Sequence, residues 1–137
     1  MASTTATTKC TITNGAGQNL VLALSNYEPA AGTINNTDTA TFRQTMPAIY
    51  LNGALVYEVG RSLKWMIFWT TDNQVSSVMF NIDESIDWNR VVNNLTHGRS
   101  EYRITDTAGS NYIAWASIEP NSEGQELTAN ICAAVPT

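Results

Sequence analysis

Residues 63 to 70, LKWMIFWT, are apolar on both of the faces that an extended strand presents. Leu63, Trp65, Ile67 and Trp69 fall on one side, and Lys64, Met66, Phe68 and Thr70 on the other. A strand with one solvated face alternates polar with apolar, so this one has to be covered on both sides or leave apolar surface exposed. The run pairs with Gln74 to Ile82 across the turn residues TTDN, which makes a hairpin of 62 to 82.

What covers the second face is written directly downstream, in DESIDWNRVVNNLTHG. Trp88, Val91, Val92 and Leu95 fall at i, i+3, i+4 and i+7, Asp83 to Asp87 place negative charge at the amino-terminal end, and Gly98 follows the last turn. This predicts one short amphipathic α-helix, over about residues 84–95, packed on one sheet. The rest of the chain reads as strands. Lys9 to Thr13 leads into the NGAGQN turn, Gln18 to Ser25 sets Leu20, Leu22 and Leu24 on one face, and Thr39 to Gln44 and Ala48 to Leu51 follow a loop broken by Pro29 and Gly32. Asn52-Gly53 is the strongest short hairpin signal and precedes Ala54 to Val59; Glu101 to Thr105, Asn111 to Ile118 and Gln125 to Ala133 complete the set. Such spacing predicts an all-β fold, a two-sheet β-sandwich of about 8–10 strands with a single short flanking α-helix. One domain is expected at 9–137, behind a threonine-rich flexible tail at 1–8.

At 137 residues and 43% apolar composition, the chain has enough length for one buried core. Only 14% of residues are charged, and 12 acidic against 7 basic side chains leave a net charge of −5, which repels phosphate backbones and argues against nucleic acid. The amino terminus, MASTTATTKC, lacks a basic n-region and an apolar h-region, so a soluble, cytoplasmic chain is expected. In that compartment Cys10 and Cys132 read as two reduced, buried thiols, and the sequons at Asn35 and Asn94 as polar loop and helix-end residues.

No catalytic constellation is present, and a non-enzymatic protein is expected. His97 is the only histidine, no nucleophile elbow or glycine-rich phosphate loop occurs, and His97 reads as a cation against helix-end carbonyls. Two distant cysteines and one histidine lack metal-ligand spacing, and Asp83, Glu84 and Asp87 fit the first turn of a helix better than a calcium loop, so no metal or other cofactor is implied. Binding is different, because aromatic rings beside short polar side chains are how concave sites hold sugars or quaternary ammonium groups. Trp69, Thr71, Asp72 and Asn73 at the hairpin tip, with Trp88 at the helix start, are the candidate ligand-binding residues. Trp65 and Trp115, mid-strand among Leu63, Ile67 and Ile113, are expected in the core, whereas Trp69, last before the polar turn, is expected partly exposed.

The order of these signals resembles a known family. ITNGAGQNLVLALSNYEPAAG is similar to the first two core strands of sea-anemone actinoporins, and the resemblance continues through GALVYEVG, SLKWMIFWTTDN and VMFNI to the helix and closing strands, most of residues 10 to 132. Fungal fruit-body lectins share that β-sandwich. The resemblance implies a non-enzymatic, ligand-recognising surface. It also shows departures: MASTTATTK leaves no room for a pore-forming helix, and the choline-binding strand end reads Phe68-Trp69-Thr70-Thr71-Asp72, with only Trp88 where a helix aromatic is expected. The resemblance therefore favours a lectin-like carbohydrate-binding role with glycans as partners. Lipid headgroups with peripheral membrane contact, or an abundant developmental or storage role without a small ligand, are the alternatives. Open sheet edges allow a homodimer.

Overall fold

The computed structural model describes residues 5–25, 30–47 and 52–134, and the expected strand at 48–51 lies outside them. Among the described residues the chain forms two sheets and one helix. The five-stranded sheet contains β1 (Thr5–Gly15), β4 (Thr39–Pro47), β9 (Arg99–Thr105), β10 (Asn111–Asn121) and β11 (Gly124–Ala134), in the order β4-β1-β11-β10-β9. The six-stranded sheet contains β2 (Leu20–Ser25), β3 (Thr33–Ile34), β5 (Asn52–Val59), β6 (Leu63–Thr70), β7 (Gln74–Asn81) and β8 (Thr96–His97), in the order β3-β2-β5-β6-β7-β8. The first and last strands lie side by side in parallel, from Thr7 opposite Gly124 to Gly15 opposite Cys132, while every other pair is antiparallel. This is the predicted sandwich with one helix, and two of its strands are two-residue bridges.

Between the sheets, large side chains meet small ones. Tyr57, Trp65, Ile67, Trp69 and Met79 of the six-stranded sheet belong to one buried cluster with Cys10, Ile12, Ala114, Ala116, Leu127, Ala129 and Ile131 of the other. The alanines are what leave room for two indoles in one layer. Each indole N–H finds a partner: Trp65 Nε1 donates to Ser77 Oγ at 3.0 Å, and Trp69 Nε1 to Thr8 Oγ1 at 3.2 Å.

The second face of β6 is covered as its sequence demands. Ala54, Val56, Met66, Val78 and Phe80 form a separate buried cluster beneath Val91 of α1 (Trp88–Asn93), with Phe68 and Ile86 packed against it. Asp87 is the N-cap, its Oδ1 accepting from the N–H of Asn89 at 3.0 Å and of Arg90 at 3.4 Å. Glu84 secures the approach to the helix: Oε1 accepts the Asn81 N–H at 2.8 Å, and Oε2 lies 3.4 Å from Arg90 Nη2. The Asn81 N–H holds the Glu84 carboxyl below the usual range against the opposing effect of partial burial, and the Arg90 guanidinium adds to the lowering.

Several expectations are corrected. The helix is shorter than 84–95, and no acidic residue lies in its first turn, because Asp87 is needed as the cap and Glu84 as a brace before it. Residues 5–8, expected in the tail, belong to β1, and Thr8 is fully buried as the acceptor for Trp69. Asn52-Gly53 is strand rather than hairpin turn. Gly53 sits opposite Trp69, and a Cβ there would lie 2.3 Å from the indole ring, so the glycine is present to admit the tryptophan. A bulge between Leu22 and Leu24 turns Leu24 outward, 51% exposed, instead of placing all three leucines on one face. Cys10 is buried and its thiol is pushed up to about 12 by desolvation, but Cys132 is exposed, because its neighbours Ala129 and Ile131 carry the inward alternation of β11. His97 lies exposed in β8 with Nε2 at 3.4 Å from Gln74 Nε2, a strand residue rather than a helix-end cation.

Candidate functional site

Thr71, Asp72 and Asn73 form the tip of the β6–β7 hairpin. Asn73 takes the left-handed conformation, φ 62°, and its N–H reaches back to the Thr70 carbonyl at 3.3 Å. The Gln125 side chain, 3% exposed, anchors the tip to the other sheet: Nε2 donates to the Thr70 carbonyl at 2.6 Å and to Asn73 Oδ1 at 3.2 Å. Its Oε1 accepts from the Thr8 hydroxyl at 3.2 Å, and Thr8 in turn accepts from Trp69. Trp69 and Asn73 are therefore linked through Thr8 and Gln125, in a buried polar chain that pins the hairpin.

That chain corrects the expected site. Trp69 is fully buried, not a surface at a site mouth, because its ring lies between the sheets above Gly53. Trp88 lies across the six-stranded sheet from it, on the side where α1 packs, so the two rings cannot grip one ligand. Trp88 is 55% exposed and meets Phe68 edge-on, ring centroids 6.2 Å apart at 78°. Asp72 and Asn89 are exposed, and Thr71 and Asn73 half-buried. Of the candidates, Trp88 is the one aromatic with a ring open to solvent, and the exposed Asp87 and Asn89 flank it.

The outer side of the six-stranded sheet carries more apolar surface than the sequence reading assigned to it. Val21, Leu24, Trp88 and Val92 are exposed large hydrophobics, from 46% to 62%, and all four project from this side. The bulge in β2 is what adds Leu24 to it, and no periodicity would have revealed that.

The outer side of the five-stranded sheet is of the opposite kind. Thr39 and Thr41 of β4, Thr11 and Thr13 of β1, Thr128 and Asn130 of β11, and Ser117 of β10 line it in register. Thr13 and Thr39 approach to 3.1 Å between hydroxyls, and Thr7 and Thr45 to 3.3 Å. Trp115 also faces outward here, contrary to its expected place in the core, because Tyr112, Ala114, Ala116 and Ile118 are the inward residues of β10. The Arg99 guanidinium covers its ring at 4.6 Å. Beside it, Arg103, Thr105, Asn111 and Ile113 line a cleft of about 410 Å³, completed by Ile104 and Tyr112. No helix among the described residues is long and apolar enough to cross a membrane, and none of their His, Cys, Asp or Glu side chains group as metal ligands.

No protein-family model matches the sequence, and no curated protein matches it significantly. Among solved structures, the chain is similar to the Xerocomus chrysenteron lectin XCL. A methionine-substituted form of that lectin superposes with a TM-score of 0.50 at 12% identity, over 97% of this chain and 100% of the lectin's. Wild-type XCL gives a TM-score of 0.47 at 11% identity, over 95% and 99%. At this identity the likeness is one of fold: the chain shares the all-β sandwich architecture of a lectin.

Proposed function

We propose that this chain is a non-enzymatic, lectin-like carbohydrate-binding protein whose ligand stacks on Trp88. The observation that carries the reading is the exposed indole, 55% open and steadied edge-on by Phe68. Aromatic faces pack against the C–H face of a sugar ring, and short polar side chains beside them take its hydroxyls. Asp87 and Asn89 supply such groups. Asp87 Oδ1 is committed to capping the helix, which leaves its second carboxylate oxygen to accept from a ligand hydroxyl. The shared architecture with XCL, itself named a lectin, supports the class. Binding to immobilised glycans tests the reading: one or more neutral or amino sugars should be retained by the wild type and lost in Trp88→Ala, with an unchanged melting temperature. Retention by Trp88→Ala, or silence of the wild type across such glycans, would overturn it.

A second reading has its own observation. Val21, Leu24, Trp88 and Val92 together make one side of the molecule apolar enough to rest on zwitterionic lipid headgroups. Co-sedimentation with phosphatidylcholine or sphingomyelin vesicles, abolished in a Leu24→Ser, Val92→Ser double variant, would favour it over the glycan reading.

A further inference from the structure

We propose that the cleft on the outer side of β9 and β10 is a separate ligand site, selective for a sugar that bears a carboxylate. The electrostatics come first. The chain is acidic overall, yet β9 presents two guanidinium groups against one carboxylate: Arg99 Nη2 lies 3.9 Å from Glu101 Oε1, and Arg103 Nη2 lies 4.0 Å from Glu101 Oε2. One positive charge is left over. Arg103 is the freer of the two, 76% exposed, whereas Arg99 is also occupied over the Trp115 ring. A planar guanidinium with open N–H groups matches the geometry of a carboxylate.

The rest of the cleft suits a pyranose ring. Its volume, about 410 Å³, is in the range of small-molecule sites. Ile113 lies opposite Arg103 in the register and provides an apolar floor, while Thr105 lies opposite Asn111. The Thr105 hydroxyl and Asn111 Oδ1 bond to one another, which fixes the amide and leaves its N–H₂ as donor for ligand hydroxyls. A guanidinium for the carboxylate, an amide for hydroxyls and an isoleucine for the C–H face are three complementary features of a uronic-acid type ligand. The site stands on the five-stranded sheet, the Trp88 site on the other side of the six-stranded sheet, and either can exist without the other.

Calorimetric titration of the intact protein with glucuronate, glucose and acetate, joined to amide chemical-shift mapping, tests the proposal. Glucuronate should bind roughly tenfold or more tightly than either glucose or acetate, as expected where a charge-assisted bond and sugar contacts add. Shifts should concentrate on residues 103–105 and 111–115. Arg103→Gln should remove the preference over glucose while Arg103→Lys retains part of it, and Asn111→Ala should weaken glucuronate more than acetate. Equal affinity for glucose and glucuronate, acetate binding as well as glucuronate, shifts mapping elsewhere, or no glucuronate binding would each overturn it. Melting temperatures of both cleft variants identify a folding failure, and the unaltered protein's selectivity and shift map decide the matter even then.

Discussion

The two outer sides of this sandwich were built to opposite specifications. On the six-stranded sheet the outward positions of β5, β6 and β7 include Val56, Met66, Phe68, Val78 and Phe80, and a helix has to lie over them. On the five-stranded sheet the outward positions are threonine, asparagine, serine and paired charges, with Lys9 Nζ at 3.7 Å from Glu126 and Arg43 Nε at 3.3 Å from Glu123. One side thus behaves as a second core with an apolar margin, the other as a solvated face with one aromatic under an arginine. The difference teaches that strand alternation, not overall hydropathy, decides where this chain can place a helix. It also separates the two candidate ligand surfaces by chemistry: an open indole on the first side, a guanidinium and an amide on the second.

The comparison can be broken by mutation. If the apolar side is a true second core, Phe80→Ala should cost about 3–5 kcal/mol in chemical denaturation, as much as Trp69→Ala between the sheets. A loss for Phe80→Ala within about 0.5 kcal/mol, the range of ordinary surface changes, would make that side mere surface. Asp87→Ala should cost about 1 kcal/mol, since two helix N–H groups lose their acceptor and α1 holds the apolar side closed. Trp115→Ala, on the polar side, should cost about 1 kcal/mol or less, the scale of an exposed cation–π contact, so a loss of several kcal/mol would show that the polar side also carries core weight. The smallest effect is electrostatic. The Glu84 carboxyl titrates below its ordinary 4.5, so the stability it lends the helix approach is present above that pH and fades as pH falls through the lower folded value. Denaturation of Glu84→Gln against the wild type should therefore show a gap at neutral pH that closes in acid. With 39% of its side chain exposed, the gap should be small.

How much of this was legible varies with the kind of information each residue carries. The β6–β7 hairpin and the covering helix were readable, because apolar residues on both faces of Leu63–Thr70 demand a second layer and the next segment has helical period. Trp69 was misread, since a polar turn follows it; what buries it is non-local, a glycine opposite in β5 and a hydroxyl from β1. Trp115 was misread for a different reason. In Asn111–Asn121 both alternating sets look apolar, and the inward set is the one with alanines, chosen because the facing indoles leave only small volumes. Hydrophobicity cannot report such size matching across a core. The cleft on β9 and β10 was equally hidden, because Arg103 and Asn111 become neighbours only through the β9–β10 register. Trp88 was placed at the helix start by the same periodicity, but its 55% exposure depends on how the short helix sits on the sheet, which the pattern does not report.

The parallel pairing of the first and last strands also governs how the molecule would bear load. Nine residues of β1 lie against nine of β11, and the strands run the same way. Tension applied through Thr5 and Ala134 would pull these neighbours in opposite directions along their length. Their hydrogen bonds would be stressed in shear and together, rather than peeled one at a time. The fold is thereby a mechanical clasp, expected to resist stretching more strongly than its equilibrium stability alone suggests, in a way a force spectrometer would register as a single high rupture peak.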